Sequence, residues 1–143
     1  MADDVILNKI ATIERCLKRI HEEYDADKAD FTKNHTKQDS VILNLERASQ
    51  ATIDIATHII RIKKLGLPKT SRELFDLLEE NQLISKQTCT QMQSMVGFRN
   101  IAVHDYQKLN MDIVVSIIEQ HLPDFEAFIT EIIGILDSKK SYN

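Results

Sequence analysis

Apolar residues recur every three or four positions along most of this chain, the pattern of one buried face of an amphipathic helix. The first such run comprises Ile6, Ile10, Ile13, Leu17, Ile20 and Tyr24. Asp3 or Asp4 is placed to cap this helix at its N-terminus. Residues 25–39 are polar and lose the pattern, so we expect a loop there, with a short helical turn around Phe31.

A second run predicts a helix from about Asp39 that ends at Gly66, a natural C-terminal stop, with Pro68 just beyond it. Ser71 and Ser85 are the expected N-caps of the next two helices, the second of which runs towards His104. Asn110 should cap the last long helix, because Leu109 and Val114 fit the accompanying hydrophobic staple. Pro123 should kink or divide that helix.

The composition supports a helical fold. Only 3 Gly and 2 Pro occur in 143 residues, too few for the many turns of a β-rich fold or for a doubly wound fold with Gly-rich phosphate loops. Hydrophobic residues make up 43% and charged residues 28%, which is typical of a globular chain. We therefore predict one all-α domain over residues 1–143, an up-and-down bundle of four to five helices with a polar, frayed tail from about residue 138.

Charge and cysteine content restrict the function classes. The formal net charge of −4 disfavours non-specific binding of nucleic acid over a broad basic surface, although it does not exclude a local basic site. Cys16 and Cys89 lie far apart, so we expect two buried free thiols rather than a zinc site or a disulfide. No apolar run reaches the ~20 residues of a membrane span, and the acidic N-terminus does not resemble a signal peptide. The expected compartment is the cytoplasm, with no membrane contact.

One segment departs from an ordinary bundle. No Asp or Glu occurs from Asn81 to Val103, although the chain has 22 acidic residues, so this region is locally positive or simply a chance gap. Within it, Arg99 lies on an apolar stripe with Met92, Met95, Ala102 and Tyr106. Because an unpaired buried guanidinium is costly, Arg99 should pair with a carboxylate of the fold, face a subunit interface or await an anionic ligand.

Asn100 and His104 are four residues apart and share a helix face, while Arg99 and His104 can converge where the helix ends. Arg can clamp a phosphate, His can transfer a proton near neutral pH, and Asn can orient either. This set matches metal-free cleavage of RNA by attack of its own 2′-hydroxyl. The other histidines are expected to be ordinary core residues, and none has metal-ligand spacing: His21, His35, His58 and His121.

The segment from Met95 to Tyr106 resembles the motif of the HEPN superfamily, which has Arg, a polar residue, three variable residues and His. The tyrosine two residues after His104, Tyr106, makes the motif resemble that of the HepT-like toxin branch of the superfamily. Residues 38–48 resemble the second helix of that branch. The similarity extends from the first helix to about Leu136. The motif agrees at Arg99, Asn100, His104 and Tyr106.

The resemblance implies a metal-independent endoribonuclease without a cofactor, with Arg99, Asn100 and His104 as catalytic residues. It further implies the toxin of a toxin–antitoxin pair and a homodimer, with the motifs of both copies facing one cleft. The expected partner is a minimal nucleotidyltransferase antitoxin that transfers AMP to Tyr106. The alternative is a non-catalytic helical module that binds a nucleotidyltransferase or a nucleotide and uses Arg99 and His104 only for the interface.

Overall fold

The structure is a computed structural model that describes the backbone of residues 2–141 and the side chains of residues 3–138. Within this part of the chain there is no β-strand, which confirms the all-α prediction. A 3-10 turn at Tyr106–Lys108 separates α5 from α6, and a π-helical segment at Ile117–His121 joins α6 to α7. The helices are α1 (Ala2–Asp25), α2 (Lys28–Phe31), α3 (His35–Lys63), α4 (Ser71–Glu80), α5 (Lys86–His104), α6 (Met111–Ser116) and α7 (Leu122–Ser141).

The long helices pack in alternating directions. Lys9, early in α1, forms a 3.0 Å ion pair with Asp54, late in α3, so these two helices are antiparallel. Tyr106, just past the end of α5, reaches Asp39 near the start of α3, so α5 also runs opposite to α3. Aromatic rings fill the centre, and Phe75 of α4 meets Phe128 of α7 edge to face at 6.1 Å. This up-and-down packing is the predicted bundle.

Helix α3 begins earlier than predicted, at His35 rather than about Asp39. The side chain of Asn34 caps it by accepting a hydrogen bond from the Lys37 amide at 3.1 Å. Gln38 is buried and donates from Nε2 to the Phe31 carbonyl at 2.9 Å, so a polar residue holds the inner face of the first turn. The apolar pattern therefore did not mark this turn as helical. The predicted loop with a short helical turn is confirmed as α2.

Two helix boundaries differ from the predictions by a few residues. Helix α3 ends in a left-handed cap at Lys64, with φ 55°, rather than at Gly66. The hydroxyl that caps α4 belongs to Thr70, whereas Ser71 is already the first helical residue. The N-caps at Ser85 and Asn110 are confirmed.

The two ends of the chain also differ from expectation. Asp3 and Asp4 lie inside the first turn of α1 instead of capping it, since α1 already begins at Ala2. The tail predicted to fray continues as helix to Ser141, and residues 142 and 143 fall outside the described part. An acidic first turn still favours α1, because negative side chains interact well with the positive end of the helix dipole.

The last long helix is divided as Pro123 predicted, but through a π-helical segment just before the proline. Proline has no amide hydrogen and its ring crowds the carbonyl four residues earlier, which belongs to Glu119. A wider turn relieves that crowding. Tyr24 of α1 donates a 2.6 Å hydrogen bond to Oε2 of Glu119, so the irregular turn is fixed to the bundle.

Both cysteines are buried and free, as expected. Burial next to Asp76 raises the pKa of the Cys89 thiol to about 11. The expectation of core histidines is wrong: three are exposed and His58 is half-buried, and the exposed ones are His21, His35 and His121. His21 and His121 lie instead beside carboxylates of Asp25 and Asp124. Within the described residues, no helix has the length and apolarity needed to cross a membrane.

Candidate active site

The helix that carries the motif, α5, is anchored at its start by a carboxylate from another helix. Glu131 of α7 accepts a 2.6 Å hydrogen bond from the Ser85 amide and a second hydrogen bond from the Thr88 hydroxyl. The Ser85 hydroxyl in turn accepts from the Thr88 amide at 3.1 Å. Two of the amides at the start of α5, those of Ser85 and Thr88, therefore have side-chain partners, which anchor the helix whose far end carries His104.

Helix α5 has no acidic residues of its own, and carboxylates of other helices bind only its first half. Besides Glu131, Asp76 of α4 reaches α5 and accepts a 2.8 Å hydrogen bond from Gln93. Beyond Gln93, the structure gives no described side chain of this helix that donates a hydrogen bond to a carboxylate or forms an ion pair with one. The locally positive region predicted from sequence thus narrows to the C-terminal half of α5, where Arg99 lies.

Arg99 is half-buried, between the buried residues Phe98 and Ala102 on the same helix. Its Nη1 donates to Oδ1 of Asn100 at 3.2 Å, and the structure gives it no carboxylate partner among residues 3–138. Its Nε is the one buried side-chain nitrogen or oxygen without a partner among the described residues. Of the three possibilities for this side chain, pairing within the fold is therefore wrong, and an interface or an anionic ligand is left.

His104 is the last residue of α5 and is exposed to solvent. Asp105 ends the helix through its amide, which donates to the Ile101 carbonyl at 2.8 Å. Asn100 lies one turn before His104, and its amide group is the partner of Arg99. Among the described side chains, His104 has no hydrogen-bond or ion-pair partner, so both of its ring nitrogens are available to a bound molecule.

Tyr106 opens the 3-10 turn after α5, and 46% of its surface is exposed. Its hydroxyl does not point freely into water but donates a hydrogen bond to Oδ1 of Asp39. Burial of the hydroxyl and the Asp39 carboxylate raise the pKa of Tyr106 to about 12. Sequence reasoning missed Asp39 as a site residue. The sequence alone places Asp39 only at the start of a helix, since no local pattern relates positions 67 residues apart.

A partly apolar groove of about 530 Å³ lies beside the motif, between α5 and the segment from α6 to α7. Gly97, Phe98 and Ile101 form one wall, while Ile113 and Ile117 contribute to the other. Ile101 and Ile113 are 47% and 54% exposed and lie on opposite walls of this groove. A partly apolar surface therefore lies on the same helix that carries Arg99, Asn100 and His104.

The described residues contain no group of three or more His, Cys, Asp or Glu side chains that could hold a metal ion. The polar groups at the site are instead a guanidinium, an amide, an imidazole and a phenol. These groups can bind a phosphate and transfer a proton without a metal.

Comparison with known proteins places the chain in a family. The model of the family described as Ribonuclease HepT-like matches residues 13–132. The mRNA nuclease HepT of Shewanella oneidensis is 55% identical over 127 residues, which cover 89% of this chain and 95% of that protein. The chain therefore belongs to the HepT-like ribonuclease family, and the resemblance noted in its sequence is confirmed.

Two further relatives broaden the comparison. The tRNA nuclease HepT of Aphanizomenon flos-aquae is 24% identical over 139 residues, covering 97% of this chain and 95% of that one. A solved structure of the tri-AMPylated Shewanella oneidensis HEPN toxin in complex with MNT antitoxin superimposes with a TM-score of 0.87 at 54% identity. The match covers 92% of this chain and 98% of that toxin chain.

Proposed function

We propose that this protein is the toxin of a toxin–antitoxin pair and a metal-independent endoribonuclease. The observation that carries the proposal is the half-buried Arg99, whose Nε has no partner and which contacts no carboxylate within the described chain. Leaving a buried donor unpaired costs about 1–3 kcal/mol, so a gain elsewhere must offset it. A phosphate diester supplies the missing acceptor, and family membership makes RNA its source.

Each site residue has a role in this reaction. Arg99 binds the phosphate and stabilises the charge that develops when the RNA 2′-oxygen attacks phosphorus. His104 accepts the 2′-hydroxyl proton or donates a proton to the 5′-oxygen as its bond to phosphorus breaks. Asn100 holds the guanidinium through its Oδ1. The products are a 2′,3′-cyclic phosphate and a 5′-hydroxyl end.

A homodimer completes the site. One imidazole cannot serve as base and acid in the same step, whereas two copies supply two histidines to one cleft. The groove along α5, with the exposed Ile101 and Ile113 on its walls, provides a surface that a second copy would cover. A two-fold pairing needs a self-complementary patch of this kind.

The cognate partner is a minimal nucleotidyltransferase antitoxin, which silences the toxin by transferring AMP to Tyr106. The AMPylated relative in complex with its MNT antitoxin supports this step. An adenylyl group on Tyr106 would bring bulk and a negative phosphate to the end of α5, where they compete with RNA for the same positive charge.

The test is cleavage of a 5′-labelled RNA by the purified protein, with and without EDTA. Arg99→Ala and His104→Ala should each lose at least about a hundredfold in rate while their circular dichroism is unchanged. The matched controls are Arg19→Ala and His35→Ala, at exposed positions far in sequence from Arg99 and His104. Cleavage by the unaltered protein should survive EDTA and leave cyclic phosphate ends.

Two outcomes would contradict the proposal. Full cleavage by Arg99→Ala or His104→Ala would remove that residue from the mechanism. A protein that binds its nucleotidyltransferase but cleaves no RNA in any assay, and does not stop cell growth, would instead be the non-catalytic helical module.

A further inference from the structure

The hydrogen bond between Tyr106 and Asp39 joins the end of α5 to the beginning of α3. Asp39 lies on the first turns of α3, whose start is fixed by the Asn34 cap and by buried Gln38. The backbone that carries the Asp39 carboxylate therefore has a defined position. Tyr106 is 46% exposed, so an incoming enzyme can still reach this residue.

Tyr106 is the one hydrogen-bond partner of the Asp39 side chain among the described residues, and no lysine, arginine or histidine of that part of the chain pairs with it. Its oxygens therefore accept from the phenol without competition from a cation. By contrast, Asp30, five residues before the start of α3, forms a 3.1 Å ion pair with Lys37. Asp39 is thus available for chemistry at the phenol oxygen.

The phenol needs such help. With burial and the neighbouring carboxylate holding its pKa at about 12, Tyr106 is protonated at neutral pH and is a weak nucleophile. Any transfer to its oxygen at neutral pH requires a base within hydrogen-bond reach of the proton. Asp39 already accepts that proton's hydrogen bond.

We propose that Asp39 of the toxin itself prepares Tyr106 as the AMP acceptor, by holding the phenol oxygen and taking its proton during transfer. The Tyr106 oxygen forms a bond to the α-phosphorus of ATP, the bond from that phosphorus to the bridging oxygen breaks, and pyrophosphate leaves. The phenol proton passes to the Asp39 carboxylate and from there to water. This inference rests on the proposed function, which assigns Tyr106 as the acceptor.

The experiment measures single-turnover AMP incorporation by intact-protein mass spectrometry. The full toxin is mixed with its cognate nucleotidyltransferase, ATP and Mg²⁺ at a series of pH values from 7 to about 9.5. Asp39→Asn keeps an oxygen that can accept the phenol hydrogen bond but cannot take up the proton. Asp105→Asn removes a carboxylate beside Tyr106 that pairs with Lys108 instead, and it is the matched control.

Asp39→Asn should be slower than the unaltered protein at pH 7 by about a hundredfold, the usual contribution of a general base. Its rate should rise roughly tenfold per pH unit, because tyrosinate forms more easily without Asp39, and approach the unaltered rate at high pH. Asp105→Asn should match the unaltered protein throughout. Thermal unfolding of each variant checks that the fold is retained.

An Asp39→Asn rate equal to or above that of the unaltered protein at pH 7 would overturn the inference, since Asp39 would then be irrelevant or restraining. A slow rate whose pH profile runs parallel to that of the unaltered protein would also overturn it, because no proton transfer would be at issue. Failure of the proposed function looks different: either the unaltered protein gains no AMP, or Tyr106→Phe gains as much.

Discussion

Arg99 donates to the side chain of Asn100, its immediate neighbour, at 3.2 Å, while its Nε stays buried and unpaired. Side chains at consecutive helix positions normally diverge, so this contact draws the guanidinium aside along the helix surface. A neutral amide holds the charge of Arg99 in place without cancelling it. The arrangement leaves binding capacity unused in the free chain.

The first prediction follows from that unused capacity. Arg99→Met should keep or raise the melting temperature, by up to a few degrees, because about 1–3 kcal/mol of unmet donor cost disappears. The same variant should lose RNA cleavage. Thermal unfolding followed by circular dichroism, beside the cleavage assay, measures both. A loss of several degrees, compared with no change for exposed Arg19→Met, would mean that Arg99 holds the fold together.

The second prediction concerns the anchor at the start of α5. Glu131→Gln removes the negative charge of the carboxylate that accepts hydrogen bonds from the Ser85 amide and the Thr88 hydroxyl. The free energy of unfolding should fall by about 1.5–3 kcal/mol, the range for hydrogen bonds to a charged group. Glu126→Gln, on the same helix at an exposed position, should change it by less than about 0.5 kcal/mol. Urea titration compares the two, and equal effects would contradict the anchor.

A third prediction uses two helical glycines that each have open space where a Cβ would stand, Gly97 and Gly134. Gly134→Ala should raise the free energy of unfolding by roughly 0.5–1 kcal/mol, because alanine is the better helix former. Gly97 lines the groove that we assign to the second copy, so Gly97→Ala should instead weaken the dimer. Light scattering across a dilution series gives the dissociation constant. An unchanged constant with a normal gain in stability would place the dimer contact elsewhere.

Alkaline titration gives a fourth prediction. The pKa values of Tyr24 and Tyr106 are both raised to about 12, whereas an unfolded chain ionises its tyrosines near 10. Above pH 10 the unfolded state binds fewer protons, so stability is fully present below pH 10 and falls as the pH rises towards 12. Tyrosinate absorbance should show delayed ionisation, and Asp39→Asn should lower the midpoint of one tyrosine. An unchanged midpoint would mean that Asp39 does not influence Tyr106.

Much of this fold is predictable from the sequence because the buried faces are apolar and periodic. The caps at Ser85 and Asn110 are local signals, since a side chain there serves amides only two or three residues away. The start of α3 escapes the pattern because the inner face of its first turn carries Gln38, a polar residue that satisfies the Phe31 carbonyl. A left-handed cap at Lys64 escapes it too, because lysine rarely takes that conformation.

The candidate site is likewise only partly predictable from the sequence. Arg99, Asn100 and His104 can be proposed from one stretch of helix, because their spacing and the apolar neighbours of Arg99 are visible in the sequence. Whether a histidine outside the motif is buried or exposed cannot be predicted from the sequence, because exposure depends on which helix packs against it. Asp39 could be found only once the fold brought two distant segments together.

The contact between Tyr106 and Asp39 exists only when α3 and α5 are packed side by side. An unfolded or newly synthesised chain has the tyrosine but not the prepared phenol. An antitoxin that depends on this pairing would therefore spend ATP only on folded toxin, the form able to assemble a site around Arg99 and His104. AMP transfer would then follow folding of the toxin. Chains that never fold would neither cleave RNA nor be modified by the antitoxin.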